Sequence, residues 1–245
     1  MDILLWLSVL MRGLVVTAQL TVVTTILTTI LATALAVAQI SPIRSVRLLA
    51  RWDVDLFRSI PLLALFFFLF FGLGPIVGRF GIDSFWIAVL ALTLSESAYL
   101  AEVFRGALQS VPVTQWDAAM SLGLGWPSVV RLVLLPQALP PSIPATVNIV
   151  IGIIKDSSLA SLIAVSEVTL SATVLVAGTF RPMEVYLVLA IVYLAVIVPL
   201  SYLARYSEVV VARRLGQRPN LAGAGVETSA LAASAIIVDP RAGER

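Results

Sequence analysis

Between Arg12 and Arg44 the chain runs from Gly13 to Ile43 without one ionisable side chain. So long an uncharged run has few places to fold. About 20 apolar residues cross a hydrocarbon core of roughly 30 Å as an α-helix, and unpaired backbone is not tolerated there. Comparable stretches recur at Ser59–Gly78, at Ser84–Ala101 (interrupted only by Glu96), at Leu132–Ile154 and at Val185–Ala204. The pattern predicts an all-α transmembrane protein with five spans. Composition supports this: 60% of residues are hydrophobic and 12% charged, against about 45–50% and about 25% in a soluble domain. A water-soluble globular fold is excluded.

The fourth stretch carries Pro136, Pro140, Pro141 and Pro144 in its first half. Proline lacks an amide donor and crowds the preceding turn. The fourth helix is therefore expected to begin near Ser142 or Ile143, with Pro144 in its first turn, and to run through Lys155 and Asp156 to about Ile163. Val168–Phe180 is uncharged but only 13 residues long. That is too short to cross, and predicts a packed or re-entrant helix on the outer side. Met1–Leu10 is apolar with Asp2 and no basic segment, so residues 1–12 read as an interfacial helix rather than a cleaved signal peptide. Gly216–Arg245, rich in Ala, Gly and Ser without a sustained period, reads as a mobile cytoplasmic tail.

Basic residues set the orientation. The loop after the first span holds Arg44, Arg47, Arg51 and Arg58, and the loop after the third holds Arg105 and Arg131. The tail adds Arg205, Arg213, Arg214, Arg218, Arg241 and Arg245, which makes twelve against Arg12, Arg79, Lys155 and Arg181 on the other side. The positive-inside bias places the N-terminus outside and the C-terminus in the cytoplasm. The arginine excess is thus topological, and no nucleic-acid partner is expected.

Several chemistries are excluded outright. The chain has no cysteine and no histidine, so it offers no disulfide, thiolate, imidazole base or Cys/His zinc site. Its single lysine, Lys155, follows Ile154, whereas a Walker-A loop needs a Gly-Lys pair. No catalytic residue, metal or cofactor is expected.

The stretch from Gln109 to Pro141 is the most informative. Gln115–Leu122 can form a short helix, Gly123 a turn with positive φ, and Pro127 can open a second short helix that ends before Pro136. This makes a compact cytoplasmic knob with Trp116, Met120, Leu122 and Leu124 as its apolar surface. On the residues alone, an interfacial linker resting on lipid headgroups is the simpler reading.

Resemblance separates the two. Asp117-Ala118-Ala119, then Gly123, then Val133-Leu134-Leu135-Pro136 resembles the EAA loop of ABC importer permeases: Glu-Ala-Ala, three residues, Gly, nine residues, Ile, one residue, Leu-Pro. Asp117 stands for Glu and Val133 for Ile. Phe57–Leu62 resembles the FRGTPL-like start of helix two in polar amino-acid permeases. Ala98–Gly106 resembles their AAYxAExxRGG segment, with Ser97-Ala98 for Ala-Ala. Leu135–Ala138 and Lys155–Ala160 are similar to their LPQA and KDTSLA signatures, while Thr114 replaces a Gly usual before Gln115.

The resemblance covers about Gly13 to Leu215. It implies a five-helix type I ABC importer permease fold over 13–215, with the coupling loop at about 109–141. It also implies two separate ATPase subunits, a second permease copy or paralogue, an extracytoplasmic solute-binding protein and an amino-acid substrate, in a bacterial inner membrane. The knob carrying Asp117, Ala118, Ala119, Ser121, Gly123 and Leu124 would then seat in the ATPase. An ion-coupled secondary transporter is the alternative, disfavoured by the absence of an evident inverted repeat and of paired discontinuous helices. A scaffold without transport would leave the knob unexplained.

Polar residues within the spans nominate a pathway. Glu96 either lines it or reaches Arg105 or water at the cytoplasmic end. Glu102 and Arg105, three apart, are expected to form an intrahelical pair. Asn148, Gly152 and Asp156 share one helix face, with Ser157 close by. That face either lines a cavity or packs against another helix.

Overall fold

The computed structural model describes residues 2–74 and 83–214. It divides into two compact units, Met1–Ser207 and Glu208–Arg245; of the second, only residues 208–214 are described. The end of the second expected span, Arg79 and the 216–245 tail lie outside the described residues.

All regular structure among the described residues is helical. Helix α1 covers Asp2–Gln39, α2 Arg44–Ser59 and α3 Leu62–Phe67, which continues as a π-helical turn over Phe68–Leu73. Helix α4 covers Ser84–Gln109, α5 Val113–Ser121 and α6 Trp126–Val129. A π-helical turn over Val130–Leu134 leads into α7, Leu135–Asp156, which tightens to 3-10 geometry over Ser157–Ile163. Helix α8 is Val168–Thr179 and α9 Pro182–Arg214. Among the described residues, four helical stretches are long and apolar enough to cross a membrane, and five if the bent α2–α3 pair counts as one.

Helix α1 runs unbroken through Met11, so residues 2–12 feed directly into the first span. Its 38 residues extend about 57 Å at 1.5 Å each, longer than the hydrocarbon core. Four of its threonines bond back to the preceding turn, Thr21 Oγ1 donating to Thr17 O at 2.8 Å and Thr33 Oγ1 to Thr29 O at 2.7 Å, with Thr17 and Thr29 doing the same. This is how hydroxyls enter a helix in an apolar surrounding. The buried hydroxyls of Thr24, Thr25 and Thr28 have no such partner among the described residues. At Gly13 the backbone of α8 comes close, and an added Cβ would meet Ser171 Oγ and lie 2.8 Å from Val168 Cα.

The stretch expected to cross as Ser59–Gly78 starts instead at Leu62. Pro61 has no amide to donate and pushes the residue before it out of the helical region. Ile60 is extended, with φ −84° and ψ 125°, and α2 and α3 meet at 100°. The proline expectation for the fourth helix also fails. Pro140, Pro141 and Pro144 all lie inside α7, and Pro136 opens it. Each proline's fixed φ is already close to the helical value, and spans bear prolines when local groups re-brace the turn. Here Ser142 Oγ donates to Leu139 O at 2.8 Å and Thr146 Oγ1 to Ser142 O at 2.9 Å. The short helix Val168–Thr179 is found where expected, closed by Phe180 at φ +57°.

Helix α4 is the centre of the bundle and the most buried span. Asp83 caps it, accepting from the Phe85 amide at 3.1 Å and the Trp86 amide at 3.4 Å, as an Asp at this position does. Helices α1, α2 and α7 pack around it. One apolar cluster joins Ala32, Ala36, Ala98, Leu100 and Phe104 to Ala119, Val129 and Leu134, so the 113–134 knob grows out of the core. A second joins Leu20, Phe66, Leu92 and Ile163, and a third joins Trp6, Leu10, Val168, Val185 and Leu189.

Candidate functional site: a knob and a pocket on one bundle

The knob is built by short-range bonds. Helix α5 starts after Pro112, and the Gln115 amide donates to Pro112 O at 2.9 Å. Its end is set by Gly123, whose φ is +81°. There the Gly123 amide donates to Met120 O at 2.9 Å and the Leu124 amide to Ala119 O at 3.2 Å. An added Cβ at Gly123 would meet nothing within 4 Å, so backbone conformation and not space requires glycine. Pro127 sits in the first turn of α6, as its sequence position predicts. That helix does not end before Pro136 but continues into α7.

The structure divides the six knob residues. Asp117, Ala118, Ser121 and Gly123 are exposed, while Ala119 is buried and Leu124 half-buried. The outward apolar groups are Met120 and Leu122, the latter 83% exposed. Trp116 and Leu124, expected on that surface, turn inward against the core cluster. The Trp116 and Trp126 rings lie 5.6 Å apart and tie α5 to α6.

The pocket lies where the α2–α3 break, α4 and α7 meet. It is an open cavity of about 480 Å³ lined by Arg58, Ser59, Ile60, Pro61 and Leu62, by Ser95, Glu96 and Tyr99, and by Asn148, Ile149, Gly152 and Asp156. Four of the five nominated pathway residues thus come together. Glu96 is only 6% exposed, and Asp156 lines the same cavity from α7. A Cβ added at Gly152 would sit 3.9 Å from Glu96 Oε2, so the glycine leaves the carboxyls room. Ser157 is the exception. It is buried, with its Oγ donating to Ile154 O at 2.8 Å, and does not line the cavity.

Glu96 does not reach Arg105. Arg105 donates to Glu102 Oε2 at 2.7 Å and to Gln109 Oε1 at 2.7 Å, forming the expected intrahelical pair. Sequence reasoning missed Arg58, Ser59 and Tyr99. Arg58 reads as one more cytoplasmic charge, but Pro61 folds the chain so that it faces α4. The available signal was Pro61, which had to break any helix carried through Ser59.

One more buried carboxyl escaped notice. Glu167 caps α8, its Oε1 accepting from the Leu170 amide at 2.8 Å. Burial pushes its carboxyl above the ordinary range, against the lowering effect of the Thr169 and Leu170 amides and the Thr169 and Thr17 hydroxyls. Among the described residues, no group of three or more acidic side chains is placed to hold a metal ion.

A multi-spanning helical bundle with an open polar pocket and a projecting amphipathic knob defines a membrane transport component. Residues 25–217 match the family model described as binding-protein-dependent transport system inner membrane component. The chain belongs to that family. It is 31% identical over 199 residues to the arginine transport system permease protein ArtQ of Bacillus subtilis, covering 81% of this chain and 90% of the relative. It is 35% identical over 192 residues to the octopine transport system permease protein OccM of Rhizobium radiobacter, covering 76% and 78%. Its fold is similar to a crystal structure of an amino acid ABC transporter with histidines, at TM-score 0.73 and 29% identity over 83% of this chain and 94% of that one. The methionine ABC transporter MetNI shares the fold at TM-score 0.66 and 24% identity, over 86% and 98%.

The chain is therefore a non-catalytic, multi-pass permease subunit of a bacterial inner membrane, part of an ABC-type importer. Membership implies a complex with ATPase subunits, a solute-binding protein and a second permease.

Proposed function

We propose that this subunit imports polar amino acids and that the Glu96–Asp156 pocket lies on their path. The observation that carries the reading is a carboxylate buried at an open cavity. A carboxyl inside a span is expensive, and a cationic or ammonium group of a substrate would offset that expense directly. Asn148 adds a neutral donor and acceptor, and Arg58 a counter-charge for an α-carboxylate. Relatives named for arginine and octopine transport suit such a pocket.

The chain crosses five times, its second span beginning at Leu62, with the N-terminus outside and the C-terminus in the cytoplasm, a reading supported by the arginine asymmetry. Residues 1–12 lead in from the interface, 13–215 form the transmembrane domain, and 216–245 form a cytoplasmic tail. The Asp117–Leu124 knob seats in a separate ATPase, with Asp117, Ala118, Ser121 and Gly123 in contact and Ala119 and Leu124 holding it to the core. Two ATPase subunits serve a pair of permeases, a second copy or a paralogue, and an extracytoplasmic binding protein delivers substrate. Closure of the ATPases on ATP moves the knobs, and the bundles rock between outward and inward access.

Reconstitution with the ATPase and binding protein tests this, by screening amino acids for stimulation of ATP hydrolysis. Asp156→Asn and Glu96→Gln should each weaken stimulation by the active amino acid. Unchanged stimulation in both would remove the pocket from the path.

A further inference from the structure

Helix α2 presents a surface that the transport role leaves unused. At 100° per residue its side chains fall into three sectors. Ala50 and Val54 are buried and turn toward the bundle. Next around the helix come Arg47, Arg58, Arg51 and Arg44, within roughly 60° of arc. Leu48, Trp52, Leu56 and Leu49 follow over about 100°. All four are exposed, Trp52 by 73% and Leu49 by 71%.

We propose that α2 lies along the membrane surface, Arg44 and Arg51 of its arginine row binding phosphates of anionic phospholipids while the apolar strip enters the acyl boundary. The proposal rests on the membrane family alone and not on the pocket. Helix α2 begins five residues beyond the α1 span, which ends at Gln39, and meets α3 at 100°. If α3 follows the bilayer normal, α2 lies close to the membrane plane. Tryptophan favours that depth, and arginine lays its stem on apolar surface while its head stays among the phosphates. A basic row flanking an apolar strip is the arrangement that anionic interfaces hold.

The row is not consumed internally. Arg47 donates to Ser41 O at 2.6 Å and Arg58 lies over the Tyr99 ring, but Arg44 and Arg51 are exposed. They sit two turns apart, about 10 Å along one edge. A second copy of the chain is a poorer occupant. A two-fold contact would set this arginine row against itself, with Asp55 the acidic side chain beside it on the same edge.

The test uses the full-length chain with its ATPase partner in lipid nanodiscs. Brominated phosphatidylglycerol and brominated phosphatidylcholine are compared as quenchers, and Trp52 fluorescence is taken as the difference from Trp52→Phe. Phosphatidylglycerol should be enriched at Trp52 on the order of fivefold per arginine. Arg51→Gln alone should lower that enrichment by about one such step, and Arg44→Gln/Arg51→Gln should leave both lipids quenching alike. Arg44→Lys/Arg51→Lys should retain the preference.

Equal quenching by the two lipids in the unaltered chain overturns the proposal. So does full preference in the double glutamine variant. Trp52 unquenched by either lipid, with Leu49→Cys crosslinking between copies, assigns the strip to a protein contact instead.

Discussion

The guanidinium of Arg58 lies 5.5 Å from the centroid of the Tyr99 ring, and the Tyr99 hydroxyl donates to Arg58 O at 3.4 Å. Two contacts from one tyrosine thus hold the α2–α3 break against α4. The break forms one wall of the pocket, so its position depends on that ring.

Tyr99→Ala removes both contacts. A cation–π contact at an exposed site is worth about 0.5–1 kcal/mol, so the apparent affinity for the stimulating amino acid should fall about two- to fivefold. Tyr99→Phe keeps the ring and should stay close to the parent. Titrating substrate-stimulated ATPase activity compares the two; equal losses would mean that the hydroxyl, not the ring, holds the wall.

Gly123 should matter for conformation alone. A left-handed backbone at a residue with a Cβ costs about 1–2 kcal/mol, and the φ of +81° is what ends α5. Gly123→Leu should still insert but lose co-purification with the ATPase. Gly125→Ala is the control: φ is −68° and the new Cβ would meet only Pro127 Cδ, at 4.0 Å. If Gly123→Leu co-purified and transported normally, the knob would not be the coupling element.

Gly13 is limited by space. A larger side chain there would press on the α8 backbone near Val168, and overpacking typically costs about 1–3 kcal/mol. Gly13→Val should therefore lower the thermal unfolding midpoint in detergent. Gly106→Ala, open on all sides within 4 Å, should not lower it. A Gly13→Val midpoint equal to the parent's would show that the two helices can separate freely.

Glu167 makes stability depend on pH. Its folded-state carboxyl titrates above the ordinary 4.5 because it is buried. A group raised in this way contributes stability fully below its unfolded value and loses it as pH rises through the folded one. The unfolding midpoint should thus decline upward from about pH 4.5, and Glu167→Gln should flatten that component. Parallel curves for the two proteins would assign the decline to other groups.

Much of the architecture was legible because lipid enforces it. Most of Gly13–Ile43 had to be helical, since nothing else satisfies its backbone in hydrocarbon, and it is so to Gln39. Asn148, Gly152 and Asp156 share a face by helical period alone, and the structure sets that face against Glu96. What could not be read was anything that depends on a break in three dimensions. Pro61 kinks the chain while Pro140, Pro141 and Pro144 do not, and local sequence treats all four alike. Their surroundings differ: Pro144 is buried in the bundle beside Ser142, whereas Ile60 and Pro61 border an open cavity. Arg58 and Tyr99 escaped for the same reason, being distant in sequence and joined only by that turn. Glu167 gave no signal, because burial of a single carboxyl is decided by neighbours from α1 and α8.

The prolines within α7 have one more consequence. From Trp126 to Ile163 the chain forms a single helical stretch, with Trp126 against the knob and Asp156 at the pocket. That is about 45 Å of unbroken rod between the two residues. If the knob does receive a push from an ATPase, that push need not be relayed through loops or side-chain contacts to be felt at the cavity. It would have one pushrod to travel along, whose softest joints are the wide turn at Val130–Leu134 and the amide-poor turn that follows.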